Sequence, residues 1–311
     1  MKKYKRTFLI YSFYRFTNIS NIKKIKKQLD LFLLKGNIKG TVLIAKEGIN
    51  GTLSGHETDL QNCIKYIKKL INIKKLEVKI NKNNFLPFKK LKVKLKNEIV
   101  TLAKGTIDVS KYGGKKVKPS EWNQLIQNEN IKVLDVRNNY EINIGKFKYS
   151  EKPGTNNFRE FPASIKKLKL EKNISIAMYC TGGIRCEKAS AYLKSIGYKN
   201  VLQLEGGILK YLEYAKKEGI KSLWNGECFV FDDRVSVNKS LNKGKYLQCY
   251  GCRMPITEAD KSSVYFQKGV SCPHCFTTRS KKQKFRSITR QMQIDKSEAT
   301  GRDHSFKKIY I

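Results

Sequence analysis

The chain has 311 residues, of which 40% are hydrophobic, and carries 64 Lys plus Arg against 26 Asp plus Glu, a formal charge of +38. That length accommodates two or three domains with their own cores, and the apolar content excludes a disordered chain. The charge points to a polyanionic partner such as nucleic acid, although lysine is spread everywhere alongside Ile and Asn, as a biased codon composition alone would produce. No segment approaches the ~18 continuous apolar residues of a membrane span, so no membrane is expected.

The first residues, "MKKYKRTFLIYSFYRF", begin as a signal peptide would, but Arg15 interrupts the apolar run and no small-residue cleavage site follows. Alternation of Phe8, Ile10 and Ser12 suits a strand, and Thr7 to Phe13 is apolar enough to form one. Ser20 is placed to cap a helix carrying Ile22, Ile25, Leu29 and Phe32 on one face, with Gly36 just past its end. "TVLIA" and "GTLSG" flank the turn "KEGIN", a hairpin signal. Within it "EGINGT" reads as a tight glycine-assisted turn, with a binding loop as the alternative. Leu60, Ile64, Ile67 and Ile71 mark a second helix. "LEVKI" supplies a strand, and "LKVKL" alternates as a half-exposed one does. The order fits a ferredoxin-like (acylphosphatase-like) α/β sandwich over residues 1–103.

Residues 104–118 read as a linker by composition. In residues 119–222, Trp122, Leu125 and Ile126 suit a helix opening near Pro119 and Ser120. "IKVLDV", "ISIAMY" and "NVLQL" are buried-type strands separated by helical patterns, the best being Ala189, Tyr192 and Leu193. Such alternation indicates a parallel sheet with helices on both faces. Its working site is expected beyond the carboxyl ends of the strands, where Cys180 stands. Residues 223–311 form a basic, Cys-rich region that includes "TRSKKQKFRSITRQ".

The stretch "MYCTGGIRCEKAS" puts Cys180 at a strand tip and a helix start near Gly183. The backbone N–H groups of Thr181, Gly182 and Gly183 then turn inward around the sulfur at the positive end of a helix dipole. Arg185 adds a permanent cation, and each feature favours the thiolate. The plain alternative is a buried cysteine before a glycine-rich turn. Cys180 and Arg185 enclose four residues, "TGGI"; cysteine phosphatases carry one more, so a tighter cup suited to a persulfide sulfur is expected rather than a phosphate cradle. Asp135 and Arg137 in "LDVR" are expected to tie the first strand to this loop, the carboxylate accepting loop N–H bonds. Cys186 is either a packed helix residue or a second thiol able to reduce an intermediate.

Cys249-x-x-Cys252 and Cys272-x-x-Cys275 have the spacing of a four-thiolate zinc site. Structural zinc is the expectation, with redox dithiols or unligated thiols as alternatives. Eight cysteines in local pairs, in a chain that is not a small secreted one, are expected to stay reduced in the cytoplasm.

"LDVRNNYEINIGKF" followed by "MYCTGGIR" resembles a rhodanese domain, whose cysteine carries sulfur as a persulfide. With "AKEGINGTLSG", "GTNNFREFP", "LEGGILKYLE", "GECFVFDDRVS" and the two cysteine pairs, the chain from Lys3 to about His304 resembles the rhodanese-related tRNA uridine hydroxylases. The spacer before "GTNNFREFP" is shorter than the family pattern. The resemblance implies oxygen-dependent conversion of the wobble uridine in a tRNA anticodon loop to 5-hydroxyuridine, with Cys180 as the reactive cysteine and molecular oxygen as co-substrate. It does not settle metal content.

An iron oxygenase would show two histidines and a carboxylate, and His56, His274 and His304 all lie outside the rhodanese-like segment. "GGIRCEKAS" lacks the glycine spacing of a dinucleotide site, so a familiar oxygen-activating cofactor is not expected. Attack of the Cys180 thiolate on uracil C6 would instead make C5 electron-rich enough to meet oxygen. Arg185 and the loop amides would hold an oxyanion. Lys90, Lys92, Lys94, Arg279 and Arg286 are candidates for flanking phosphates. A sulfurtransferase passing persulfide sulfur to a thiol, cyanide or RNA acceptor, and a non-enzymatic RNA-binding module, are the competing functions.

Overall fold

The computed structural model describes residues 7–105 and 107–301. Its chain begins with β1 (Phe8–Phe16), α1 (Ile22–Leu34), β2 (Lys39–Ala45), β3 (Gly48–Gly55), α2 (Glu57–Leu70), β4 (Val78–Asn83) and β5 (Leu91–Leu95). The sheet order is β4-β1-β3-β2-β5, antiparallel except where β5 runs parallel to β2. This is the expected ferredoxin-like sandwich with one strand added at its edge. Leu9, Tyr11 and Phe13 of β1 meet Ile25, Leu29 and Leu33 of α1 and Leu60, Cys63 and Ile67 of α2 in one core. The period of two in the strand and near four in the helices puts these residues on facing surfaces.

Two local expectations change. The residue preceding α1 is Asn21, not Ser20, and no side chain caps that end. The "KEGIN" turn is shorter than expected, because Gly48 is already the first residue of β3. A Cβ at Gly48, where φ is +149°, would lie 2.1 Å from the Arg15 carbonyl oxygen, so only glycine lets the strands approach there.

The face of this sheet away from its helices carries a polar row. Lys79, Ser12, Thr52, Thr41 and Lys92 are consecutive partners across all five strands. At about 4.8 Å per strand the row spans on the order of 19 Å between its two lysines.

Residues 104–118, expected as a linker, contribute structure. Asp108 caps α3 (Val109–Tyr112), and β6 (Lys115–Val117) is an edge strand of the second sheet. The glycines that imitate a linker serve close packing: a Cβ at Gly114 would lie 2.8 Å from Ser190 Cβ, and Gly114 N–H donates to Ser190 Oγ at 2.9 Å.

The second unit continues with α4 (Pro119–Ile126), β7 (Ile131–Asp135), α5 (Asn139–Ile142), β8 (Gly145–Phe147), α6 (Phe161–Lys167), β9 (Ser175–Tyr179), α7 (Ile184–Ser195), β10 (Val201–Leu204) and α8 (Gly207–Glu218). Its sheet, β6-β10-β9-β7, is parallel throughout. Alternation divides the strand residues between two cores. Val133, Ala177 and Tyr179 pack with α4 and α8, whereas Leu134, Ile176, Met178 and Cys180 pack with α6 and α7. Helices therefore cover both faces, as expected.

The chain then returns through β11 (Trp224–Gly226), which pairs with β8. Short hairpins follow, β12 (Cys228–Phe229) with β13 (Ser236–Val237) and β14 (Leu247–Gln248) with β15 (Pro255–Ile256). After α9 (Glu258–Lys261), the basic stretch forms α10 (Lys281–Ala299), opened by a capping box from Ser280 and Gln283. No helix among the described residues is long and apolar enough to cross a membrane.

One buried cation joins the first two units. Lys188 of α7 is fully buried and donates to both oxygens of Glu47 at 2.9 and 2.7 Å, to Glu98, and to the Val100 carbonyl at 3.0 Å. Glu47 is the hairpin residue of "EGINGT", and it also accepts the Ile99 N–H at 2.7 Å. Removing one member of such a cluster strands the rest without compensation, at a cost of about 3–5 kcal/mol. We expect Lys188→Ala to lower the denaturant midpoint by that equivalent and to expose residues 96–104 to protease. An unchanged midpoint would refute the clamp.

Candidate active site

The local chain path makes the cup. β9 ends at Tyr179, and Gly183, with φ of +100°, caps α7. Its N–H donates to Cys180 Sγ at 3.1 Å. A side chain at Gly183 would also collide with Tyr14, whose hydroxyl oxygen would lie 2.9 Å from the Cβ. Behind the loop, the first amides of α8 hold its carbonyls: Ile208 N–H donates to Cys180 O at 3.0 Å and Leu209 N–H to Thr181 O at 3.2 Å. A Cβ at Gly207 would stand 2.4 Å from the Cys180 oxygen, which explains the second glycine of "LEGGILKYLE". With the Cys180 and Thr181 carbonyls turned to α8, the Gly183 and Cys186 N–H groups face the sulfur.

Burial alone would raise the Cys180 thiol pKa. A hydrogen bond from the Cys186 side chain, the charge of Arg185 and the amides of Cys186 and Gly183 outweigh it and bring the pKa down to about 5. Burial and the hydrogen bond to Cys180 push Cys186 well above the ordinary range, so it stays a thiol. Cys186 is thus packed in the core and in contact with the anion.

Arg185 is aimed by a residue that the sequence reading missed. Glu141, fully buried on α5, receives the guanidinium in a two-pronged pair at 2.6 and 2.8 Å. Burial raises the Glu141 carboxyl, but Arg185 holds it below its ordinary value. The Thr181 hydroxyl donates to Glu141 at 3.5 Å and accepts from Arg185 at 3.4 Å. The available signal was the capping box Asn138-x-x-Glu141, which accounts for the acid without pointing to the loop.

Asp135 and Arg137 are not where they were expected to act. Both oxygens of Asp135 accept from Arg137, at 2.9 and 2.7 Å, and Arg137 continues to the carbonyls of Glu141 and Gly145 at 3.3 and 2.6 Å. The carboxylate is consumed by its own neighbour two residues on. The pair braces α5, so its influence on the loop passes through Glu141.

The first sheet closes the cup. Lys79 Nζ donates to the Gly182 carbonyl, and the Tyr14 hydroxyl donates to Glu187 at 3.0 Å. Burial lowers the Lys79 pKa to about 8, against the opposing pull of the Cys180 anion. Burial, then Glu187 and Cys180, push the Tyr14 hydroxyl well up. Cys180 is 0% exposed, so the sulfur is charged and covered. On another side Phe231, 63% exposed, lies with its ring 5.8 Å from the Arg185 guanidinium.

Among the candidate phosphate ligands, Lys92, Lys94 and Arg286 are exposed, as is Lys90. Arg279 is committed elsewhere: it donates to the Gly251 carbonyl, to Gln283 O at 3.0 Å and to Ser287 Oγ at 2.7 Å. It ties α10 to the cysteine knuckles. His56 packs against Phe8, His274 faces Asp260 at 3.3 Å, and His304 lies outside the described residues.

Cys249, Cys252, Cys272 and Cys275 converge, with all four sulfurs within 4.8 Å of one another. Three of the separations are 4.0, 3.9 and 3.7 Å. A tetrahedron of sulfurs about 2.3 Å from a central ion has edges of about 3.8 Å. Those three separations match such edges, so the cluster could hold a metal ion.

Residues 8–99 match the family described as UPF0176 acylphosphatase like domain, and residues 118–214 match the rhodanese-like domain family. The chain is 47% identical to a tRNA uridine(34) hydroxylase of Pelagibacter ubique (strain HTCC1062) over 304 residues, 97% of this chain and 99% of that one. Among solved structures, the rhodanese-like domain of an Anabaena sp. protein is 20% identical, covering 36% of this chain and 78% of its own, with a TM-score of 0.30. A polysulfide-sulfur transferase homodimer from Wolinella succinogenes is 25% identical, covering 37% and 83%, also with a TM-score of 0.30.

A depressed thiol pKa leaves a signature. The ultraviolet thiolate absorbance of the wild type minus that of Cys180→Ser should titrate near pH 5, and Arg185→Met should move the step upward. By the same sign, the stability gained from ionised Cys180 is complete above the ordinary thiol pKa of about 8.5 and is lost as pH falls toward 5. A step at ordinary thiol pH in the wild type would remove the anion from the site.

Proposed function

Because the chain belongs to the tRNA uridine(34) hydroxylase family, we propose that it hydroxylates the wobble uridine of tRNA to 5-hydroxyuridine at the Cys180 cup. The observation that carries this reading is the near-full-length likeness to a hydroxylase of that name, covering 97% of this chain. The cup supplies matching chemistry. Its thiolate bonds to uracil C6, and the electron pair passes to C5 and the adjacent carbonyl oxygen. The loop amides and Arg185 favour that oxyanion. Molecular oxygen, as co-substrate, takes up the electrons at C5 and forms the C5–O bond. Two electrons and two protons from a thiol reductant carry the second oxygen atom to water. Loss of the C5 proton then expels the sulfur from C6 and restores the ring.

A base reaches Cys180 only when Lys79 and Tyr14 draw back from the loop, since the sulfur is fully covered. Extruding the wobble base from a single-stranded loop provides the group that takes their place. The anticodon loop is thus the partner, and reduced thiols fit a cytoplasmic setting.

We propose zinc for the cysteine cluster from its four sulfur ligands. Cys249, Cys252, Cys272 and Cys275 would hold it, and it would supply folding energy rather than chemistry.

Cys180→Ser should cut 5-hydroxyuridine formation by more than about a thousandfold in purified protein with tRNA and oxygen, as removal of other nucleophiles does. Mass analysis of the tRNA nucleosides reads the product. Gain of sulfur in place of oxygen would establish the sulfurtransferase reading, and undiminished hydroxylation in the variant would end the role of Cys180.

Elemental analysis should find about one zinc per chain in the wild type, with Cys252→Ser losing it and becoming protease-sensitive in residues 245–280. A wild-type protein that is folded, active and metal-free would defeat the assignment.

A further inference from the structure

A cleft of about 270 Å³ opens where the far end of the polar row meets the C-terminal region. Lys89, Lys90 and Lys92 line it from the first unit, and Phe231, Tyr250 and Arg253 from the other side. The walls are pinned together by the Asp233 N–H, which donates to Pro87 O at 3.0 Å. One acid on the wall is already paired: Asp232 accepts from Arg234 at 2.9 and 2.6 Å. Lys89 and Arg253 stand over the Tyr250 ring at 5.4 and 5.2 Å. Phe231 keeps most of its ring in solvent while touching Arg185 of the cup. A large exposed aromatic beside lysines, one side chain from the reactive loop, has the composition of a single-strand nucleotide site.

We propose that this cleft binds a second nucleotide of the same anticodon loop, its base stacked on Phe231 and its phosphate near Lys92. The inference rests on the reading of the cup as the uridine site. The row from Lys79 to Lys92 sets its reach. With one lysine at the cup and the other in the cleft, on the order of 19 Å apart by strand spacing, the second nucleotide lies within a few residues of the modified one. The cleft is sized for one nucleotide rather than a duplex, so it selects an open loop. Phe231 couples the two places, because the ring that stacks the second base also lies over Arg185.

The test uses the full chain carrying Cys180→Ser, so that RNA binds without turnover, and an anticodon stem-loop with a wobble uridine. Phe231→Ala should weaken binding about tenfold, within the stacking range for one base, and Phe231→Trp should restore it. Lys92→Ala should lower the slope of log affinity against log salt by about one. Abasic residues placed singly around the loop should remove the Phe231→Ala penalty at one position other than the wobble uridine. Unchanged binding by Phe231→Ala, or a penalty that persists at every abasic position, overturns the cleft. Wild-type turnover on the same stem-loop is measured separately: lack of 5-hydroxyuridine with the abasic coupling intact overturns the hydroxylase reading and leaves the nucleotide site standing.

Discussion

A sulfur anion sealed from water is the constraint around which the rest of this protein is arranged. Removing a charge from solvent is expensive unless donors and countercharges replace the lost hydration. Here the replacements come from three places in the chain. The Gly183 amide and the Cys186 thiol donate from α7, and Arg185 supplies the countercharge. Glu141 holds the guanidinium from α5, and Lys79 arrives from the first sheet. The sequence of charges, Lys79, Cys180, Arg185 and Glu141, alternates in sign. Each member is tolerable in the interior because its neighbours are present.

That dependence explains why the N-terminal sandwich is part of the site rather than an appendage. Its helix-covered face supports only its own core, whereas the opposite face brings Tyr14 and Lys79 against the cysteine loop. Lys188, Glu47 and Glu98 fix the same two units about one turn along α7 from the cup. The interface has one buried anchor at Lys188 and further contacts from Lys79 to Gly182 and from Tyr14 to Glu187.

How much of this was legible depends on how local its cause is. The sandwich followed from helix and strand periodicities, and the cup from strand, cysteine, glycines and arginine in order, because each is written within about a dozen residues. The four-thiolate cluster was equally plain from its two knuckles. Glu141 was invisible because its partner is 44 residues away and its capping role already explained it. Asp135 was misdirected for the opposite reason: a partner two residues on claimed the carboxylate before the loop could. The glycines near residue 114 imitate a linker, and only the approach of Ser190 shows that they are there for lack of a side chain. Tyr14 and Lys79 became site residues through docking, which no pattern within β1 or β4 encodes.

A closed cup also bears on the chemistry. If Cys180 stood open at pKa about 5, it would be ionised at neutral pH and exposed to any oxidant, with oxygen among the reactants. Cys180 is fully buried, with Lys79 and Tyr14 beside its loop, and burial keeps the anion from oxidants. In the proposed reaction an extruded uracil would present an electrophilic C6 to the sulfur and a carbonyl oxygen to the cations. The N-terminal sandwich, which a simple sulfur carrier would not need, becomes intelligible as a wall of the cysteine site.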